Sequence, residues 1–206
     1  MNLIGFNNSI KIDLTGDSLL GNLMMDAIKN ITKTDISIVN FWMFQYSISP
    51  GKLSMLDFIK LMPHENYLCT TELTGGELIK MIKTVQNSKR GYHPTSGLKQ
   101  YIKIKNNGIK EVINVQIYVD GKAVDIDINK VYSLSSNNLI LSEESEDEFK
   151  LKDSLDIIQD KYRNNKIKCS KRLVYIELMN YFRNKGIVDL REEIDLTKPR
   201  IVIIEE

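Results

Sequence analysis

The residue types that most often carry metal or nucleophilic chemistry are few and widely separated in this chain. Its only histidines are His64 and His93, and its only cysteines are Cys69 and Cys169. Neither histidine has a second ligand-type residue at the spacing of a zinc site, and the cysteines form no Cys-x-x-Cys pair. Because buried free thiols are common in globular proteins, we expect two free cysteines. The sequence therefore predicts no metal or other cofactor site within this chain.

Three serines could be considered as nucleophiles, namely Ser18, Ser135 and Ser136. No Gly-x-Ser-x-Gly turn surrounds any of them. No histidine base can be placed beside them from the sequence. The pattern therefore argues against a serine hydrolase.

The composition limits the partners of the chain. Its 206 residues are 42% hydrophobic, which is ample for a buried core, and carry 28 Lys and Arg against 27 Asp and Glu. Because the charges nearly balance, the chain has no overall positive electrostatic field that would attract nucleic acid. No apolar run approaches the roughly 18 residues that span a bilayer. The first 13 residues lack the pattern of a signal peptide. If Met1 is the native start, we therefore expect a cytoplasmic protein. If the chain is excised from a longer exported precursor, we expect an extracellular or periplasmic one.

The elements that would position these residues begin with a strand and a helix. Ser9 to Leu14 alternates as a strand does, and Asp17 can cap a helix with one apolar face. Asp35 to Asn40 is rich in Ile and Val and is typical of a short buried strand. Ser54, with Asp57 three residues on, predicts the start of a helix that ends before Pro63.

The middle of the chain changes from helix to strand periodicity. Tyr67 to Leu73 indicates a strand, and Thr74 with Glu77 forms the capping pattern of a helix that reaches about Asn87. Period-two patterns then predict three strands, Gln100 to Lys105, Val112 to Val119 and Val131 to Leu139. We expect these strands to form an antiparallel meander, with a tight turn at Asp120-Gly121.

The last third combines helices with one more strand. Glu143 to Glu148 is expected to be a solvated acidic loop, because it lacks the ligand spacing of a calcium loop. Leu155 to Tyr162 predicts a short helix, Ser170 is expected to cap a longer one that ends at Gly186, and Ile201 to Ile204 predicts a final strand. No repeat or linker divides the sequence, so we expect one α+β domain over residues 1–206, with mixed or antiparallel sheets and four to five helices.

Several short motifs, in order and at family-like spacing, resemble the C-terminal domain of the 5'-nucleotidase and UDP-sugar hydrolase family. They cover roughly residues 10 to 204. Leu20–Ala27 is similar to the family pattern L-G-N-L-x-x-D-A, Leu61–Pro63 to L-P-F, and Glu72–Leu78 to L-T-G-x-x-L. Further along the chain, Ser96–Leu98 is similar to S-G-L, Val119–Lys122 to V-N-G-K, and Lys130–Leu134 to the strand that follows it.

This resemblance implies a division of labour between two domains. A preceding metallophosphoesterase domain would hold two metal ions and the attacking water, while this domain would hold the nucleoside end of the substrate. The chain has none of the family's metal-ligand motifs, so we expect it not to be catalytic by itself.

The resemblance also implies where a ligand would lie. The two base-stacking positions correspond to His64 and Leu139, and the family's N-G-G-x-I-R turn corresponds to Asn40–Gln45. A second family arginine corresponds to Gly16. Losing two arginine contacts, each worth about 1.5 to 3 kcal/mol, predicts a degenerate nucleotide site lined by Asn40, Trp42, Gln45, His64, Asn138 and Leu139.

Three functions remain open from the sequence. The first is the substrate-specificity domain of a 5'-nucleotidase-like hydrolase, which would bind a nucleoside or nucleotide beside a metallophosphoesterase domain. The second is a structural or protein-interaction module whose apolar contact surface is formed by Phe41, Trp42, Phe44 and Tyr46. The third is a pocket remodelled for another small molecule, lined by Asn40, Trp42, Gln45 and His64.

Overall fold

A computed structural model describes residues 4–6, 17–87, 91–106, 108–141, 152–188 and 198–205. Five α-helices lie in these ranges: α1 (Leu19–Thr32), α2 (Met55–Leu61), α3 (Gly75–Gln86), α4 (Lys152–Arg163) and α5 (Val174–Lys185). The expected strand at Ser9 to Leu14 and the acidic loop at Glu143 to Glu148 lie outside the described residues, as does Gly16.

The strands form three sheets. They are β1 (Ile4–Phe6), β2 (Ile36–Ile38), β3 (Gly51–Leu53), β4 (Tyr67–Thr74), β5 (Thr95–Ser96), β6 (Leu98–Ile104), β7 (Lys110–Val119), β8 (Lys122–Asp125), β9 (Val131–Asn137), β10 (Lys168–Leu173), β11 (Ile187–Val188) and β12 (Ile201–Glu205). The central sheet has the order β10-β4-β9-β2-β5, and the others have the orders β12-β6-β7-β8 and β11-β1-β3. The fold is α+β with mixed sheets, as the sequence predicted.

The central sheet separates two apolar cores. Leu68 of β4 contributes to a core shared with α1, α2 and α5, whereas Cys69 and Leu73 contribute to a core shared with α3 and the β6–β7 strands. Successive side chains of a strand point to opposite faces, so β4 supplies both cores. Both faces of the central sheet are therefore covered.

Arg200 fastens the start of β12 to α1. Its Nη1 donates to the backbone carbonyls of Asn22 and Thr95, each at 2.9 Å, and its Nη2 donates to the carboxylate of Asp26. The backbone N–H of Arg200 donates to Asp17 at 2.9 Å. One guanidinium group thus joins the start of β12 to α1 and β5.

This arrangement gives the Leu20–Ala27 and Ser96–Leu98 motifs structural roles. The hydroxyl of Ser96 donates to Asp26, and a Cβ at Gly97, where φ is +84°, would lie 2.3 Å from the carbonyl oxygen of Asp35. Such a contact excludes any side chain, so the S-G-L motif needs glycine there.

The predicted helix starts are confirmed at two sites and shifted at another. Capping boxes join Ser54 to Asp57 and Thr74 to Glu77. α1 is capped by Ser18, whose hydroxyl accepts from the N–H of Gly21. Asp17 instead accepts from the side chain of Asn22 at 2.8 Å, so the prediction that Asp17 caps α1 was wrong.

The predicted meander was wrong in its third strand. β7 pairs with β6 and makes a hairpin with β8 at Asp120-Gly121, where both φ values are positive. β9 instead enters the central sheet, antiparallel to β4 and parallel to β2. Residues 126–130 carry the chain from one sheet to the other, which periodicity alone does not reveal.

Two further predictions near residue 170 were also wrong. Ser170 lies inside strand β10 and does not cap a helix, since α5 begins at Val174. Cys69 and Cys169 are not free, because they lie opposite each other on β4 and β10, with Cα atoms 3.9 Å apart, and form a disulfide. The disulfide ties the edge strand β10 to the central sheet.

Candidate functional site

Asn40 and Asn137 meet at one edge of the central sheet. β2 and β9 run parallel, with Ser37 beside Ser135. Asn40 follows β2 by two residues and Asn137 ends β9, so both lie where the carboxyl ends of neighbouring parallel strands come together. This is the edge at which open sheets of parallel strands bind ligands.

Three buried asparagines form a hydrogen-bonded cluster at this edge. Asn40, Asn66 and Asn137 are only 2%, 8% and 0% exposed. The Nδ2 of Asn137 donates to Oδ1 of Asn40 and, at 3.5 Å, to Oδ1 of Asn66. The Oδ1 of Asn137 accepts from the N–H of Ile140 at 3.4 Å. Asn137 thus fixes the other two amides, and we call these three residues the asparagine cluster.

Sequence reasoning found only one member of the asparagine cluster. Asn40 was expected in the site, but Asn66 and Asn137 were not. Asn66 stands in a short polar connection after Pro63, and Asn137 continues an alternating strand, so neither has a distinctive local pattern. The parallel pairing of β2 with β9, which brings Asn137 beside Asn40, is the missing information.

The segment after Asn40 turns its bulky side chains in two directions. Phe41–Met43 is a single 3-10 turn, and Met43 and Phe44 are 1% and 5% exposed within the core that α1, α2 and α5 share. Trp42 is half-buried and Tyr46 is 61% exposed. The expectation that Phe44 belongs to an exposed contact surface was wrong, because its ring packs in the core.

Gln45 holds this segment against the end of α2. Its backbone N–H donates to the carbonyl of Leu61 at 2.8 Å, and its side-chain amide donates to the carbonyl of Trp42. The Gln45 side chain is exposed and carries no charge. Gln45 thus places a neutral amide at the end of this turn.

The remaining expected site residues occupy different environments. Asn138 is bound through both backbone and side chain to Tyr67, with its Oδ1 accepting from the Tyr67 N–H at 2.8 Å. Leu139 is half-buried in the turn after β9, and His64 is exposed before Asn66. The structure thus brings Asn40 and Asn138 to the ends of adjacent strands and leaves the His64 side chain in solvent.

His93 supports the end of β2 from the opposite side. Its Nδ1 lies 3.3 Å from the carbonyl oxygen of Val39, and its backbone N–H and C=O both bond to the amide of Gln86, at 2.9 and 2.8 Å. The pKa of His93 is lowered to about 4, mainly by burial; the hydrogen bond to Val39 opposes this shift, and the charge of Lys110 adds to it. His93 is a buried neutral side chain that fixes the residue preceding Asn40.

The described residues offer neither a metal centre nor a membrane-spanning helix. No group of three His, Cys, Asp or Glu side chains within those ranges is placed to hold a metal ion. Within the same ranges, every helix is too short or too polar to cross a bilayer. The asparagine cluster itself contains only neutral amide side chains.

Comparison with protein families identifies the fold. The model of the 5'-nucleotidase C-terminal domain matches residues 2–152. The chain belongs to this family. A search of curated proteins gave no significant match.

Solved structures match the whole length of this family member. A 5'-nucleotidase precursor from Thermus thermophilus is 19% identical with a TM-score of 0.79, and NAD nucleotidase from Haemophilus influenzae is 13% identical with a TM-score of 0.72; both alignments cover 100% of this chain. A sulfate thiohydrolase from Thermus thermophilus is 15% identical over 99% of this chain, with a TM-score of 0.65. At such identities the likeness concerns the fold. The chain spans 40%, 37% and 35% of those proteins.

Proposed function

We propose that this chain is the substrate-binding domain of a 5'-nucleotidase-like hydrolase and that it recognises the nucleoside part of its ligand. Membership of the 5'-nucleotidase C-terminal domain family carries this proposal, and the asparagine cluster marks the sheet edge at which the ligand is expected. An amide offers both a donor and an acceptor, as the edge of a nucleobase requires, and the cluster lies at the carboxyl ends of β2 and β9. Family membership, and the names of the 5'-nucleotidase and NAD nucleotidase that share the fold, support the same reading.

The hydrolytic step is assigned to a separate metallophosphoesterase domain. Two-metal hydrolysis needs clustered ligands that hold both ions beside the attacking oxygen. The role left to this domain is to bind and orient the substrate, so that the chain alone has no phosphatase activity. An assay of the purified chain with AMP and UMP, in the presence of Mn²⁺ or Zn²⁺, tests this part, and metal-dependent turnover would overturn it.

The neutral character of the site predicts which part of a nucleotide matters. Gln45 stands at a position of a family arginine, and Met43 and Phe44 fill the core beneath the same turn. A phosphate group gains no charge-assisted contact from these neutral side chains, and each such contact is worth about 1.5 to 3 kcal/mol. We therefore expect nucleosides to bind at least as well as the matching monophosphates.

Thermal unfolding with added ligands tests the binding role. A nucleoside at 100 times its dissociation constant should raise the free energy of unfolding by about 2.7 kcal/mol. Asn40→Ala should reduce that effect, whereas Asn129→Ala, an exposed site outside the cluster, should leave it unchanged. No stabilisation by millimolar adenosine, guanosine, cytidine or uridine would reject the proposal.

An exposed apolar face on α2 favours a second function, a protein-interaction module. Met55, Leu56 and Ile59 are 47%, 57% and 37% exposed and share one side of this helix. Tyr46, which is 61% exposed, lines a separate cavity of 210 Å³ with Phe58 and Leu61. Grouped apolar side chains on a surface are typical of contact sites.

This second function has its own test. Leu56→Glu should abolish co-purification with a separately produced metallophosphoesterase domain encoded with this chain. Ile128→Glu provides the control, since Ile128 is 61% exposed on another part of the surface. Equal recovery with both variants would reject a role for the α2 face.

A further inference from the structure

A groove lies at the opposite edge of the central sheet from the asparagine cluster. The end of α1, the last residues of β4, the start of β9 and the end of α4 enclose a groove of about 660 Å³. Ser133 lines this groove, whereas Asn137 belongs to the cluster four residues further along β9. At about 3.3 Å per strand residue, the two sites are separated by roughly 13 Å.

The side chains that line the groove concentrate positive charge. Lys33, Lys161, Lys166 and Lys168 all line it, against one carboxylate, that of Glu72. The chain as a whole carries a net charge of only +1, so this excess is local. Lys161 is held by Glu77 at 3.1 Å, while the other three side chains are exposed. Clustered ammonium groups in a concave site attract multivalent anions.

We propose that this groove binds an oligophosphate. Lysine is a common phosphate ligand. The exposed ammonium groups of Lys33, Lys166 and Lys168 outnumber the single lining carboxylate of Glu72, and a phosphate chain presents several anionic oxygens to such a cluster. The volume lies within the roughly 300 to 1,000 Å³ of ligand pockets and exceeds what a single orthophosphate needs.

Helix ends offer a simpler explanation of each lysine taken singly. Lys33 is the C-terminal cap residue of α1, and Lys161 and Lys166 lie in or just after the last turn of α4, where cations are favoured by the helix dipole. That effect does not explain their convergence with Lys168, which lies at the start of a strand. The two explanations differ in whether the lysines bind an added anion.

Calorimetric titration of the full chain with inorganic tripolyphosphate tests the proposal. The Lys33→Gln/Lys166→Gln variant should bind at least tenfold more weakly, since one charged contact alone is worth a factor of ten or more. Lys33→Arg/Lys166→Arg should retain binding. Lys60→Gln/Lys122→Gln is the matched control, because both lysines are exposed and lie outside the groove.

Diphosphate and citrate carry similar negative charge near neutral pH, so comparing them separates recognition of phosphate from attraction of any anion. Diphosphate should bind the full chain more tightly than citrate. Equal affinity of the wild-type and glutamine variants, or no binding at 50 mM NaCl, would overturn the proposal, and neither result bears on nucleoside binding at the asparagine cluster.

Discussion

Cys169 lies directly opposite Cys69 on neighbouring antiparallel strands, and a disulfide joins the two. Cys69 is fully buried in the core that β4 shares with α3, whereas Cys169 is exposed on the edge strand β10. The bond connects residues 100 positions apart. It therefore holds β10, and with it the start of α5, on the central sheet.

Removal of this disulfide should destabilise the domain. A cross-link over about 100 residues stabilises by up to about 4.7 kcal/mol in the chain-entropy model, and measured values are commonly 2 to 4 kcal/mol. We expect Cys69→Ala/Cys169→Ser to lower the midpoint of urea unfolding accordingly. Reductant should lower the midpoint of the wild-type protein to a similar extent and leave the double variant unchanged. Identical midpoints with and without reductant would contradict the assignment.

Loss of the Arg200 side chain should also be costly. Its guanidinium group is largely buried and donates to two carbonyls and the carboxylate of Asp26. Hydrogen bonds of charged groups are worth about 1.5 to 3 kcal/mol each, and the truncation leaves buried acceptors unpaired. We expect Arg200→Met to lower the free energy of unfolding by about 3 kcal/mol or more, measured in urea.

Arg172→Met is the control for this change. Arg172 forms an ion pair with Glu177 at 3.9 Å, but its side chain is 68% exposed. Exposed pairs contribute about 0 to 1 kcal/mol. If both variants lose the same stability, Arg200 does not have the anchoring role described for it.

The sequence predicted the elements better than their pairing. The capping boxes at Ser54 and Thr74 and the turn at Asp120-Gly121 depend on residues close together in the chain, so local chemistry determines them. Cys69 and Cys169 pair only because β10 lies beside β4, and residues 168–173 have no alternating pattern that would reveal a strand. The disulfide was missed for this reason.

The candidate site was predicted in part for the same physical reason. The resemblance of the local motifs indicated Asn40, Asn138 and the segment between Trp42 and Gln45. The burial of Phe44 and the contact of Asn137 with Asn40 depend on helix packing and on the parallel register of β2 and β9. Both are long-range relationships, which a single sequence does not record.

Asn137 should matter for stability as well as for the shape of the site. Its amide group is fully buried and donates to Asn40 and Asn66. Asn137→Ala would leave buried acceptors without a partner, at a cost of about 1 to 3 kcal/mol. Asn129→Ala, at an exposed position, should change the unfolding free energy by less than about 0.5 kcal/mol. Urea unfolding distinguishes these outcomes, and equal small effects would show that the cluster contributes little.

His93 should make stability depend on pH. Its pKa is lowered to about 4 in the folded protein, mainly by burial, against an ordinary value of 6.5. The unfolded chain therefore binds a proton more readily than the folded protein between these pH values. The contribution to stability is complete above about pH 6.5 and is lost as the pH falls toward 4, with a limiting slope of about 1.4 kcal/mol per pH unit.

The variant His93→Gln tests the origin of this slope. Glutamine does not titrate, so the free energy of unfolding should depend less on pH between 4 and 6.5, although its value at pH 7 falls. His64→Gln removes the other histidine, which is exposed, and should leave the slope in place. A slope that survives His93→Gln but disappears with His64→Gln would contradict the assignment.

Two consecutive glycines at the start of α3 should respond in opposite ways to alanine. A Cβ at Gly75 would lie 2.1 Å from the carbonyl oxygen of Asp127, whereas a Cβ at Gly76 would lie 3.7 Å from its nearest contact, the carbonyl oxygen of Ile128. The backbone N–H groups of both glycines donate to the 127–130 turn, at 2.9 and 3.0 Å. This turn therefore lies directly against the first residue of α3.

Gly75→Ala must push that turn away, and the overlap is with backbone, so it cannot be relieved by a side-chain rotation. We expect the variant to lose about 1 to 3 kcal/mol, the usual cost of an overpacked site. Gly76→Ala introduces an ordinary van der Waals contact and replaces a helical glycine, so it should gain up to about 1 kcal/mol. Thermal or urea unfolding of the two variants measures both effects. A Gly75→Ala variant as stable as the wild-type protein would mean that the 127–130 turn does not lie against α3 as described.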